Sequence, residues 1–243
     1  MSFDQDRRNL LHNSALVGMT LAAGAIVPLD ALAQAPKPES QEPEVTATED
    51  LMREHGVIRR ALLVYREVSP KLRQNPASVD AAALRRTAQL FRNFGEDYHE
   101  RMLEEQHIFP TIRKMNNKEL TSYADVLTAQ HQRGREITDY ILAVSNGSKI
   151  SSAHAEPLAG VLESFVLMYE NHAAREDTIV FPAWKTNFSN KQLDEISDQF
   201  EDIERKMFGK DGFEDAEHKI GQIEATLGFA DLAQFTPSLP PKP

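Results

Sequence analysis

Tyr169–Trp184 reads YENHAAREDTIVFPAW, and this stretch decides the fold. His172 and Glu176 are four residues apart, so on an α-helix they lie one above the other on the same face. Phe181-Pro182 then predicts the end of that helix, because the residue before a proline is driven out of helical dihedrals. An earlier stretch, Tyr98–Pro110, YHERMLEEQHIFP, repeats the order of histidine, carboxylate and Phe-Pro. Two copies of one pattern predict one paired site.

The residues around these stretches carry helical periodicity. A first helix is expected from about Thr48 to Val68, opened by the capping box Thr46-x-x-Glu49 and striped by Leu51, His55, Ile58 and Leu62. A second is expected over Val79–Phe109, with Leu84, Ala88, Phe91, Gly95 and His99 on its stripe. Its carboxylate, Glu104, follows His99 by five residues instead of four, which predicts a π-bulge near Arg101–Leu103. A third spans Lys118–Val144, with His131 in the middle of an apolar series and Asn146-Gly147 after it. The fourth spans Ala155–Phe181, with Tyr169, His172 and Glu176 facing inward. Short connections between long helices favour antiparallel neighbours, so the expected fold is all-α: an up-down-up-down four-helix bundle over residues 48–187. A C-terminal helical extension is expected over 188–230, with helices at Lys191–Met207 and Asp215–Leu227, and a disordered tail over 231–243.

The repeat lies at the level of helix pairs. His55 and His131 are 76 residues apart, and Phe109 and Phe181 are 72 apart. A histidine on the apolar stripe of every helix, with at least one inward carboxylate, costs several kcal/mol unless it is paired or coordinated, so the constellation points to a shared metal site. Imidazole with carboxylate suits iron, manganese or zinc. Glu104-x-x-His107 matches a glutamate–histidine metal motif of carboxylate bundles, but Glu176-x-x-Ile179 breaks the second copy, so His107 is expected at the surface or behind the ligands. Glu105 competes with Glu104, and Asp177 with Glu176, for the inward position.

REHGVIRR, YHERMLEEQHIFP, AQHQRGRE and YENHAAREDTIVFPAW together resemble the hemerythrin-like, HHE cation-binding proteins, over about residues 48–185. The resemblance implies a non-haem di-iron centre with His55, His99, Glu104, His131, His172 and Glu176 as ligands and the two glutamates as bridges. It implies dealings with a small oxidant such as dioxygen, peroxide or nitric oxide, by binding, sensing or reduction. In the dioxygen-carrying members a second histidine follows the one on the third helix by four residues; here that position is Arg135. The expected Arg135 contact is an anion at the site or a surface salt bridge with Asp139, and Tyr98 and Tyr169 either serve bound oxygen species or pack. Two other readings compete: a peroxidase- or oxidase-like di-iron enzyme, and a metal-poor stress-response or interaction module.

Composition narrows the partners. The 243-residue chain has a formal net charge of −10, which argues against nucleic acid or an anionic membrane. It has no cysteine, so disulfides and thiolate-ligated metal are excluded. The N-terminus carries Arg7-Arg8, an apolar run from Ala15 to Leu29, and small-residue cleavage patterns at Ala31-Leu32-Ala33 and Ala33-Gln34-Ala35. These features predict a removable export signal over 1–35, a periplasmic or exported product carried by the twin-arginine route, and no membrane span after signal removal. Residues 36–47 are expected to be a disordered linker.

Overall fold

The computed structural model describes residues 45–241; the expected export signal, and most of the expected linker, lie outside them. Four antiparallel rods form the body. The first is α1, Ala47–Gln74. The second is continuous but of changing pitch: α2, Ala81–Leu90, a π-helical stretch, Phe91–Ile108, and α3, Phe109–Lys114. The third is α4, Lys118–Val144. The fourth runs through α5, Ser152–Arg175, a π turn, Glu176–Val180, and α6, Phe181–Lys185. The extension consists of α7, Asn190–Phe208, and α8, Gly212–Leu227. Among the described residues there is no strand, and no helix is long and apolar enough to cross a membrane.

Local chemistry explains where the rods begin. Thr46 and Glu49 form the expected capping box, each satisfying a backbone N–H of the other. Asp80, Asn117 and Ser151 cap the next three rods through their side-chain oxygens. The ends differ from expectation at every proline. The first rod runs through Pro70 to Gln74, held by the buried Leu72 in its last turn. Neither Phe-Pro pair stops its rod; Pro110 and Pro182 instead sit in the first turn of α3 and α6. In both places a π turn precedes the proline, and the N–H of the phenylalanine reaches the carbonyl five residues back, Phe109 to Glu104 and Phe181 to Glu176. A proline ring clashes with the carbonyl four residues back in an α-helix, and the wider π turn moves that carbonyl aside. The bulge expected near Arg101–Leu103 thus belongs to an 18-residue π stretch, and a second π turn in the fourth rod was not anticipated.

The core divides along the bundle axis. At one end Tyr65, Phe91, Phe165 and Tyr169 pack ring to ring, with centroids from 4.8 to 6.2 Å apart. Toward the other end Phe109, Phe181 and Trp184 are fully buried. Between these two apolar zones lies the polar centre. In the stretch expected to be a disordered tail, Leu232–Phe235 form a short 3-10 turn.

Candidate metal centre

The rods bring all six sequence-picked residues to one buried point. His55, His99, Glu104, His131, His172 and Glu176 are each 3% exposed or less. Glu104, His131, His172 and Glu176 each offer a donor atom within 4.8 Å of the others, and His55, His99 and Glu104 do the same. The two glutamates join the groups. Glu104 lies with Oε1 3.4 Å from His99 Nε2 and Oε2 3.2 Å from His131 Nε2. Glu176 lies with Oε1 3.0 Å from His172 Nε2 and Oε2 3.5 Å from His55 Nε2. None of these four oxygens has a hydrogen-bond partner among the described residues. Each carboxylate therefore spans the first and second pairs of imidazoles, with both oxygens aimed at the same space.

The far nitrogen of each imidazole is held by a polar side chain. His55 Nδ1 is 2.7 Å from Asp177, His99 Nδ1 2.5 Å from Glu54, His131 Nδ1 2.9 Å from Glu105, and His172 Nδ1 2.9 Å from Gln130 Oε1. An ionised carboxylate or an amide oxygen can only accept, so each Nδ1 donates its proton outward and leaves Nε2 as a bare lone pair. The Nε2 atoms then face each other at 3.0 Å between His55 and His99 and at 3.1 Å between His131 and His172. Lone pairs opposed at that distance, beside four unsatisfied carboxylate oxygens, need positive charge between them. Metal-ligating histidines adopt this tautomer, with the second N–H given to a carboxylate or carbonyl. The donor set of imidazole and carboxylate thus fits divalent or trivalent cations.

Without a cation, protons must supply that charge. Burial alone would push the histidines down, but the carboxylates overcome it: His55 is raised by Asp177 and Glu176, His99 well raised by Glu104 and Glu54, and His131 pushed up to about 10 by Glu100, Glu104 and Glu105. Conversely, burial would raise Glu104 and Glu176, with the charge of Glu176 adding to it at Glu104, yet the surrounding histidines hold both below the usual carboxylate range. Phe181 stacks on His55 at 5.4 Å and Phe109 on His131 at 5.5 Å, so each Phe-Pro pair roofs an imidazole.

Glu105 and Asp177, the alternatives to Glu104 and Glu176, are on the Nδ1 side of the rings and not at the centre. Arg135 does not make the salt bridge expected with Asp139. Its guanidinium is 2.5 Å from Glu105 and 3.4 Å from Glu100, whereas Asp139 pairs with Arg92. Arg59 has the same task in the other half, pairing with Asp177. The hydroxyl of Tyr169 donates to Glu100 at 2.6 Å, and a Cβ on Gly134 would stand 2.1 Å from that hydroxyl, so only glycine leaves the ring room. Tyr98 packs between Phe94 and Phe208. His107 is half-buried against Phe200 and apart from the cluster.

Glu54, Gln130 and the buried Glu100 escaped the sequence reading. A signal for two of them was present: Glu54 and Gln130 each precede a central histidine, as Glu105 and Asp177 each follow a central glutamate. Each holds an imidazole from a different rod, and that pairing is not written in any one segment.

The sequence model described as Hemerythrin HHE cation binding domain matches residues 46–184. An uncharacterised protein of Mycobacterium bovis is 41% identical over 242 residues, covering 96% of this chain and 91% of that protein. Two uncharacterised proteins of Mycobacterium tuberculosis strains match to the same extent. No solved structure matches the chain.

Proposed function

We propose, for a chain that belongs to the hemerythrin HHE cation-binding family, that the buried cluster holds two iron ions and that the protein binds, senses or reduces a small oxidant such as dioxygen, peroxide or nitric oxide. The observation that carries this reading is the set of four carboxylate oxygens on Glu104 and Glu176, buried without hydrogen-bond partners among the described residues and each within 3.5 Å of a different imidazole. When bound, iron would supply open coordination positions and electrons; manganese or zinc suits the same donors, but zinc lacks redox chemistry.

The chain's own residues do the rest. His55, His99, Glu104, His131, His172 and Glu176 would hold the iron, with the two glutamates shared between the imidazole pairs. Asp177, Glu54, Glu105 and Gln130 hold the outer protons and keep each Nε2 aimed inward. Phe109 and Phe181 keep water from the imidazoles they cover. Reconstitution with ferrous iron should load about two irons per chain and produce an optical band that changes on exposure to oxygen. Fewer than about 0.2 metal ions per chain after reconstitution would sink the proposal, because coordination by this donor set holds metal far more tightly.

A second reading, a peroxidase- or oxidase-like enzyme, rests on Arg135. Its guanidinium is committed to Glu105 and Glu100, so the cluster offers four imidazoles and two carboxylates and leaves more positions for exogenous ligands. Stopped-flow mixing with peroxide and a reductant separates the readings. Repeated turnover supports the enzyme; a stable complex without turnover refutes it. Export by the twin-arginine route is part of the proposal, and replacing Arg7 and Arg8 together by lysine should leave a tagged precursor in the cytoplasm.

A further inference from the structure

The extension beyond residue 184 packs on α1, α2 and the π stretch, and a cavity of about 540 Å³, partly open to solvent, lies between it and the bundle. None of the six central residues, and none of the side chains that hold them, lines it. Its floor is apolar: Leu90 and Phe94 from the second rod, Phe208 and Ile223 from the extension. The floor is pre-formed, because a Cβ on Gly212 would lie 2.3 Å from the Phe208 ring, which shows how closely that ring is laid on the backbone.

The rim is cationic in a chain whose net charge is −10: Arg86, Arg92 and Lys219 face a single carboxylate, Asp215. Lys219 is paired with Asp215 at 2.7 Å, and Arg92 with Asp139 and Glu96. Arg86 makes no ion pair or hydrogen bond through its side chain among the described residues. An unpaired guanidinium over an apolar floor selects its ligand by exclusion. A cation is repelled, a fully polar anion leaves the floor wet, and a neutral apolar molecule leaves the guanidinium unused. We propose that this cavity binds an amphiphilic monocarboxylate, its head on Arg86 and its hydrocarbon body on Phe94, Phe208 and Ile223. The volume suits a body of about ten to fifteen non-hydrogen atoms.

The test is calorimetric titration of the purified metal-loaded chain with decanoate, with decan-1-ol and decyltrimethylammonium as controls. Decanoate should bind saturably with one site per chain, decanol about tenfold more weakly, and the ammonium not at all. Arg86→Glu should weaken decanoate by about tenfold or more, and Gln89→Trp, at an exposed wall position, should block it by filling the cavity. Metal content and circular dichroism should be unchanged in both variants. Equal affinity for decanol, unchanged binding in both variants, or no saturable heat up to about 1 mM decanoate would overturn the proposal.

Discussion

The half built by the first two rods and the half built by the last two carry the same chemistry at the six central residues, and the side chains that accept from the four Nδ1 atoms match with one exception. His55 corresponds to His131, His99 to His172, and Glu104 to Glu176. Asp177 with Arg59 holds His55, as Glu105 with Arg135 holds His131. Phe181 stacks on His55 and Phe109 on His131, with the same 23° between ring planes. The exception is the remaining pair: anionic Glu54 holds His99, whereas neutral Gln130 holds His172. A second asymmetry lies outside the imidazoles. The extension covers the first half, while His172 and Gln130 line a small surface pocket of about 170 Å³ between the third and fourth rods. The two imidazole pairs are built to one plan, and they differ in the charge behind one ring and in what covers them.

The largest expected effect comes from removing what the halves share. Glu104→Ala takes one oxygen from each side, so both metal positions should empty, to under about 0.2 ions per chain by elemental analysis, while helical circular dichroism persists. One tightly held ion per chain would show that the halves bind independently and that Glu104 bridges nothing. Paired deletions cut the comparison the other way. His55→Ala with His99→Ala, and His131→Ala with His172→Ala, should each lower the load from about two ions to about one, because one imidazole pair and both carboxylates survive. Complete loss in either double variant contradicts that separability.

A smaller effect isolates the one difference between the imidazole sets. Glu54→Gln makes the first half resemble the second, and Gln130→Glu does the reverse. Partners of this kind tune metal affinity by about 10- to 100-fold, so chelator competition should find the first variant weaker by about tenfold at one position and the second tighter. If the swaps leave both affinities unchanged, the carboxylate behind His99 is packing and not tuning.

How much of this was legible depended on whether the signal was local. The helical stripe around His55, His99, His131 and His172 is a periodicity within single rods, and it placed all four imidazoles inward. The capping box at Thr46 was equally local. The Phe-Pro pairs misled because proline's effect on a helix depends on the pitch of the turn before it, and in both places that turn is a π turn. The five-residue interval from His99 to Glu104 announced one such turn; the four-residue interval from His172 to Glu176 hid the other. Glu54 and Gln130 act across rods, 45 and 42 residues from the histidines they hold, a distance no spacing rule spans. The choice between Glu104 and Glu105 likewise needed the rotation of the π stretch, which turns the first inward and the second behind His131.

The smallest predicted effect concerns the cover that only the first half has. Glu204 on α7 is buried beside that half, accepting the N–H of Phe213 at 2.7 Å. Burial, then the nearby carboxylates of Asp211, Glu54 and Asp50, push its carboxyl up to about 7 against the pull of that hydrogen bond. In the unfolded chain the same group ionises near its ordinary value of 4.5. Between those two values the folded protein keeps a proton that the unfolded chain has released, so stability falls as pH rises through this window and the full penalty is present above about 7. Glu204→Gln keeps an acceptor for Phe213 and cannot ionise. At pH 8 it should be more stable than the parent by on the order of 1 kcal/mol, allowing for partial solvent screening, and the gain should shrink toward pH 5. Urea melts of both proteins at fixed metal load, at pH 5 and pH 8, read this directly. A stability difference independent of pH would mean that the first half's cover carries no buried acid, and that the asymmetry between the halves ends at Glu54 and Gln130.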